Sequence, residues 1–277
     1  MPPIVAVISP GAMGSAVARR LTEHGVEVRT SLAGRSEATA ERARKAGMVA
    51  TSDEGLAAAD IILSILPPGD APALAARLAP VLARASHKPI YADCNAVNPE
   101  TVGRIAAVIA KADCPFVDGG IIGGPPRQGG RTKIYLSGPD APRIAVLEQY
   151  GLDMPVLPGP VGVASAMKMS YAGITKGFTA LGAMMMLAAT RGGTAEHLQH
   201  ELAESQPQLF AWLSRQTPNM YSKAYRWVAE MEEIAGFGGD DAAARQLFDA
   251  AARFYQRIAA DDAGDHRETD ALSAFCR

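Results

Sequence analysis

The chain is poor in cysteine and aromatic residues, and neither sign of charge prevails over its 277 residues. Its three cysteines, Cys94, Cys114 and Cys276, are odd in number and lack CxxC spacing, which argues against a disulfide framework and a thiolate metal site. Met1-Pro2-Pro3 leads straight into an aliphatic stretch without a secretory leader, so a cytoplasmic protein with reduced thiols is expected. With 27 Lys+Arg against 29 Asp+Glu and no basic run interleaved with aromatics, nucleic acid is not an expected partner. His197, His200 and Glu201 share a helix face, but no further ligand accompanies them, and no metal is expected. His24, His87 and His266 are isolated and read as surface residues. The uncharged run 177–189 falls short of the roughly 20 residues a spanning helix needs, so no membrane segment is expected. Internal repeats, low-complexity tracts and long linkers are also missing.

What is present begins with Ile4-Val5-Ala6-Val7-Ile8, a continuous aliphatic run of the kind that a strand buried on both faces needs. It ends in Ser9-Pro10-Gly11-Ala12-Met13-Gly14, ahead of a helical pattern carrying Val17, Ala18 and Leu21. Strand, tight turn and helix in that order can form a phosphate cradle. Gly11 lets the backbone approach a pyrophosphate, and Gly14 lets the helix pack closely on the sheet. The first helical turn, with Ala12 and Met13, offers N–H groups and a positive dipole end. Ser9 stands where GxGxxG has its first glycine, and an ordinary strand-to-helix corner is the alternative reading.

The second strand, 28–32, ends in Ala33-Gly34-Arg35-Ser36, with no carboxylate where an NAD-binding fold places one for the ribose hydroxyls. A guanidinium beside a hydroxyl suits a 2′-phosphate, so NADP(H) is expected in preference to NAD(H). Ser36 is equally placed to N-cap a helix over 38–46, and the two roles are compatible.

A further buried strand over 61–66 stops at Pro67-Pro68-Gly69 before a helix over 70–83, which puts Leu66 and Pro67 on the same ligand-binding edge. Ile90-Tyr91-Ala92 leads to Asp93-Cys94-Asn95-Ala96-Val97-Asn98-Pro99, with Asn98 as N-cap and Pro99 as first helical residue. Phe116-Val117 opens into Asp118-Gly119-Gly120-Ile121-Ile122-Gly123-Gly124. Strands alternating with helices predict an α/β fold with a doubly wound parallel sheet, whose ligands lie beyond the carboxyl ends of the strands. Every loop quoted lies at those ends. Asn95 is expected to offer its amide to the substrate or nicotinamide, and the N–H groups around Gly123 and Gly124 to receive a substrate oxygen.

Taken in order, these motifs resemble the β-hydroxyacid dehydrogenase superfamily, which includes 3-hydroxyisobutyrate and 6-phosphogluconate dehydrogenases, with imine reductases as close cousins. The family's glycine turn matches Ser9 to Gly14, and its NADP-type strand end matches Gly34-Arg35-Ser36. Its DxSTxxP motif matches Asp93 to Pro99, and its DAPVSGG motif falls on Asp118 to Gly124. Its GxGxxxKxxNN helix falls on Gly162 to Ala172, which brings Lys168 onto the family's catalytic lysine. The resemblance implies a Rossmann domain over 1–160 and an all-helical substrate and dimerisation domain over 161–277. It also implies hydride transfer between NADP(H) and an alcohol or carbonyl carbon, with Lys168 handling the proton. A lysine at its ordinary pKa of about 10.4 is a poor base at neutral pH, so that role calls for a desolvated cleft beside a positive nicotinamide.

Departures from the family pattern bear on the substrate. Asn95-Ala96 replaces Ser-Thr, Ile122 replaces a serine, Ala164 replaces a glycine, and Tyr171-Ala172 replaces paired asparagines. Groups that hold a small carboxylate are thereby lost, and a bulkier, less anionic substrate contacting Ile122, Gly123, Gly124 and Tyr171 is expected. The rival readings are an imine reductase and a non-catalytic NADP(H)-binding sensor. The tract 226–235 resembles a sub-branch whose C-terminal domain is of unknown function.

Residues 161–191 read as one long, nearly uncharged helix of about 45 Å at about 1.5 Å per residue. It is too long for one small domain to cover, so a homodimer is expected. Met184-Met185-Met186 reads as core or dimer packing, and Lys176 as a stem laid on the helix with its ammonium in solvent. Helices are predicted over 196–204 and 209–215, from a Thr217 cap with Pro218 at its first position to about 235, and over 242–260. Residues 261–277 read as loose, with Leu272 and Phe275 available to dock the end. Trp227 and Met231 fit either the core or a pocket made with the partner subunit.

Overall fold

A computed structural model describes residues 1–127, 130 and 132–277. β1 (Val5–Ile8) is buried along its whole length, as its unbroken aliphatic composition requires. The chain turns into α1 (Ala12–Glu23), and the strand–helix step recurs with β2 (Val28–Thr30), α2 (Glu37–Lys45), β3 (Val49–Ala50) and α3 (Asp53–Ala57). It continues through β4 (Ile61–Ser64), α4 (Ala71–Arg84), β5 (Ile90–Asp93) and α5 (Pro99–Ala110). β6 (Phe116–Ile122), β7 (Lys133–Ser137), a short α6 (Ala141–Ile144) and the long α7 (Val163–Arg191) follow. The chain ends in α8 (Ala195–Ser205), α9 (Pro207–Met220), α10 (Ala224–Phe237), α11 (Ala242–Asp262) and α12 (Arg267–Phe275).

The sheet runs β3-β2-β1-β4-β5-β6-β7, with parallel pairing up to β6 and β7 antiparallel to β6. The expected doubly wound sheet is present, and chain order reverses between β1 and β4, where such sheets open a ligand crevice at their carboxyl edge. On one face, Val5, Val7, Ile61 and Leu63 pack with Val17 and Leu21 of α1. On the other, Ala6, Ile8 and Ile62 pack with Leu74 and Leu78 of α4 and Ile105 of α5. Each such leucine or isoleucine contributes roughly 1.5–3 kcal/mol on burial.

The chain divides into two compact units, Met1–Met169 and Ser170–Arg277. The division falls inside α7, so the opening turns of that helix, Lys168 included, belong with the sheet. α7 is long and apolar enough to cross a membrane, but Ala172, Ala180, Ala183, Met186 and Leu187 are buried in the protein. Tyr171, Ile174, Phe178, Leu181 and Met185, spaced alternately three and four apart, are exposed.

The second unit departs from expectation in three places. Lys176 does not hold its ammonium in solvent: it pairs with the buried Glu230 and lies 4.9 Å from the centroid of the Trp227 ring. A cation brought into an apolar interior requires such partners. Thr217 and Pro218 do not open a helix but lie in the last turn of α9, which starts at Pro207. Pro218 has no N–H to donate to the preceding turn, and the helix ends two residues on, at Met220. Residues 267–275 form α12, held by Asp261, whose carboxylate accepts from the N–H of Glu268 at 3.0 Å and of Thr269 at 2.8 Å. Leu272 and Phe275 are buried as the docking residues.

Candidate active site

The turn after β1 is tight because Gly14 has no side chain. A Cβ there would stand 2.2 Å from the carbonyl oxygen of Ser9. Ser9 itself takes a left-handed φ of +73°, which glycine adopts freely and serine does not. No side chain caps the first turn of α1, and the position of a Cβ on Gly11 is open space. An uncapped 12-residue helix with an unobstructed glycine at its N-cap fits a pyrophosphate, whose oxygens would take the N–H groups around Gly11, Ala12 and Met13.

Beyond β2 the chain makes a turn in which the Arg35 N–H donates to the Leu32 carbonyl at 3.1 Å and Gly34 takes φ +69°. Arg35 is exposed on that turn. Ser36 stands at the N-cap of α2, but its hydroxyl accepts no helix N–H; its Oγ meets Thr39 Oγ1 at 3.1 Å. Arg42, which the sequence reading passed over, donates from Nη2 to Thr39 Oγ1 at 2.8 Å and from Nε to the Pro10 carbonyl at 3.1 Å. The ribose-side loop and the phosphate turn are thus stitched together by one arginine. One charge among five on a polar helix carries no sequence signal for that job.

Ser64, Asp93, Asp118 and Ser137 lie on one register row across β4, β5, β6 and β7, and all four are buried. Asn95 completes this polar layer and is 2% exposed. Its Nδ2 donates to Ser64 Oγ at 2.8 Å and to Asp93 Oδ2 at 2.9 Å, while its Oδ1 accepts the N–H of Leu66. Both amide hydrogens are therefore engaged inside the protein, and the expectation that Asn95 offers them to a ligand is corrected. Asn95 instead ties the loop carrying Leu66 and the exposed Pro67 to the end of β5. Cys94 is no nucleophile: burial pushes its thiol well above the usual range, and Asp93 and Asp118 push it further. Asn98 caps α5 as expected, accepting from the N–H of Thr101 at 2.8 Å, with Pro99 at the first helical position.

β6 brings α7 onto the sheet. A Cβ on Gly120 would stand 2.8 Å from the Ala164 carbonyl and 3.2 Å from Lys168 Cβ, so glycine is required for the helix to lie this close. Lys168 is consequently seated against the last residues of β6, in the unit that holds the phosphate turn, and is partly buried. Ile122 ends β6, and Gly123, at φ +120°, and Gly124 follow on the exposed loop. Tyr171 lies on α7 in the other unit and is 48% exposed. Among the described residues no cluster of His, Cys, Asp or Glu has metal-binding geometry.

Residues 4–148 match the NAD binding domain of 6-phosphogluconate dehydrogenase. The chain belongs to this family. Residues 189–258 match a domain of unknown function, DUF1932. An uncharacterized 28.5 kDa protein in the 7S RNA 5′ region of Methanothermus fervidus is 31% identical over 192 residues, covering 69% of this chain and 72% of that one. Among solved structures, a conserved protein of unknown function described as similar to 3-hydroxyacid dehydrogenases is 31% identical, with a TM-score of 0.71 and 99% of each chain covered. The 3-hydroxyisobutyrate dehydrogenase of Mycobacterium tuberculosis, solved with L-serine, shares the fold at 20% identity, a TM-score of 0.70 and 99% coverage of each chain. This member of the family therefore carries an NAD(P)-binding domain of the kind found in dehydrogenases, followed by a helical region.

Proposed function

We propose that this chain is an NADP(H)-dependent oxidoreductase that moves a hydride between the nicotinamide and an alcohol or carbonyl carbon of a substrate bulkier than a simple hydroxy acid. The observation that carries this reading is the seating of Lys168 against Gly120 at the carboxyl end of β6. It brings an amine into the same unit as an uncapped, glycine-opened helix N-terminus. The bound nicotinamide supplies or accepts the hydride. Lys168 Nζ exchanges the proton with the substrate oxygen, and the backbone N–H groups around Gly123 and Gly124 hold that oxygen in place. The exposed Arg35 and Ser36 receive the 2′-phosphate, with Arg42 fixing the loop between them and the phosphate turn. Nothing in the Ala33-Gly34-Arg35-Ser36 turn offers a carboxylate to the ribose of NAD.

The substrate preference follows from Ile122, an apolar side chain at the carboxyl end of β6 where the family pattern has a serine. Covering apolar surface gains about 25 cal/mol per Å², whereas burying a carboxylate without partners costs several kcal/mol. The assembly is a cytoplasmic homodimer. Its support is the exposed stripe of Tyr171, Ile174, Phe178, Leu181 and Met185, whose alternate spacing of three and four makes it self-complementary to a second copy across a twofold axis.

The test is a steady-state comparison of kcat/KM with NADPH across aromatic and bulky ketones, small keto acids and cyclic imines. Bulky carbonyls are expected to lead by about ten-fold or more. A small acid at the top would overturn the substrate reading, a cyclic imine at the top would make the enzyme an imine reductase, and cofactor binding without any turnover would make it a sensor.

A further inference from the structure

Asp118 takes no part in the chemistry above, yet its carboxylate is fully buried and aimed at the start of α7. Oδ2 accepts from the N–H of Gly162 at 2.9 Å, the N–H of Ser165 at 3.0 Å and the hydroxyl of Ser137 at 2.9 Å. Oδ1 accepts from the hydroxyl of Ser165 at 2.6 Å. Ser137 Oγ in turn accepts from the N–H of Ala164 at 3.0 Å. The opening N–H groups of α7 are thus satisfied from β6 and β7, 27 to 47 residues upstream in the chain, rather than by a neighbouring cap residue. A local serine or aspartate would cap the helix as well but would leave it free to slide over the sheet. A negative charge at a helix N-terminus is also favoured by the helix dipole.

Asp118 and Gly120 are two apart on β6 and face the same side, and Ser165 and Lys168 are three apart on α7 and share a face. The helix is therefore fixed at two successive points. The Asp118 carboxylate holds its first turn, and the missing side chain of Gly120 sets its height above the strand where Lys168 stands. We propose that Asp118 is a positioning residue for Lys168, its charge locking the first turn of α7 to β6 and thereby setting the place of the Lys168 ammonium. The proposal rests on the reading of Lys168 as the proton-carrying group.

Asp118→Asn keeps the shape, and its amide can donate to the Ser165 hydroxyl while its oxygen keeps the N–H partners, but the negative charge at the helix N-terminus is lost, so the hold on the first turn of α7 weakens. Ser165→Ala removes one hydroxyl and leaves the backbone bonds, and serves where the first variant does not fold. The primary readout needs no substrate: the lysines are labelled by reductive [13C]methylation, and the Lys168 signal is assigned by its absence in Lys168→Met. In Asp118→Asn that signal is expected to move away from its wild-type position, with a smaller move in Ser165→Ala. With the best carbonyl substrate and NADPH, kcat is expected to fall about 30-fold in Asp118→Asn and about 3-fold in Ser165→Ala, while the NADPH dissociation constant stays within about two-fold. Variants that lose thermal stability while the Lys168 signal and kcat stay put would make Asp118 purely structural and overturn the proposal. Unchanged turnover in Lys168→Met would instead overturn the catalytic reading, and the signal in Asp118→Asn would still decide the positioning.

Discussion

Arg42 reaches from α2 to the carbonyl of Pro10, 3.1 Å from its Nε, and so holds the turn that ends in Gly11. Arg35, by contrast, stands exposed on the neighbouring loop. The two arginines should therefore separate in cofactor titrations. Arg35→Asp is expected to weaken NADPH binding by roughly 1.5–3 kcal/mol, the range of a charge-assisted contact, while NADH binding changes little. Arg42→Ala removes a bond to the turn that both cofactors share, so both should weaken by a similar factor, about 0.5–1.5 kcal/mol. Equal losses for both cofactors in Arg35→Asp would contradict the 2′-phosphate assignment.

Ser9 takes φ +73° where the family pattern has glycine. A side chain in that region costs about 1 kcal/mol relative to glycine. Ser9→Gly should accordingly raise the midpoint of urea unfolding by an amount equivalent to roughly 1 kcal/mol. A lowered midpoint would mean that the serine hydroxyl secures the turn by more than the strain it introduces.

Much of this architecture was legible in the sequence because the signals were strong and local. Aliphatic runs such as Ile61-Ile62-Leu63 need burial on both faces, and Asn98-Pro99 opens a helix by cap chemistry alone. β7 was missed because Lys133–Ser137 buries Ile134 and Leu136 but leaves Lys133 exposed, a weak pattern beside the runs of the parallel strands. β3 is two residues long and exposed. α12 reads as a loose tail because its composition is polar, and the carboxylate that holds it, Asp261, lies on another helix. Pro218 gave the wrong sign: proline favours the first helical position, but here α9 already starts at Pro207 and runs through Pro218. At the site, Lys168 and Gly11 were visible through motif spacing. The engagement of Asn95 with Ser64, 31 residues upstream, was not, because a side-chain hydrogen bond from one strand end to the next leaves no periodicity.

The stripe on α7 predicts the assembly. Phe178 and Leu181 are each about half exposed in one chain, at 49% and 50%. A dimer across them should bury an apolar interface above about 2,000 Å². Light scattering at micromolar concentration is expected to give twice the 29.0 kDa chain mass for the wild type, and the single chain mass for Phe178→Asp. A wild-type monomer would contradict this face as a dimer contact.

Asp261 gives a pH dependence. Burial alone would raise its carboxyl, but the N–H groups of Glu268 and Thr269, the Thr269 hydroxyl and the Arg267 N–H together outweigh that and hold it below the ordinary 3.8. A depressed folded-state pKa contributes stability that is present above the unfolded value and lost as pH falls through the folded one. The docking of α12 should therefore loosen below about pH 3.8, and Asp261→Asn should show the loosened state at neutral pH. Hydrogen exchange of 267–275 measures this, and equal protection in the variant and the wild type would refute it.

The central claim is that Lys168 carries the proton of a hydride transfer from NADPH. The direct measurement is transfer of deuterium from [4,4-2H2]NADPH to a bulky ketone, followed by mass spectrometry of the alcohol, in wild type and in Lys168→Met. The methionine keeps the packing of the stem and removes the ammonium, so NADPH affinity should persist. Deuterium should appear on the product carbon with the wild type and form about 100-fold more slowly with the variant. Label transferred at the same rate by Lys168→Met, or not transferred by a wild type that binds NADPH tightly, would contradict it.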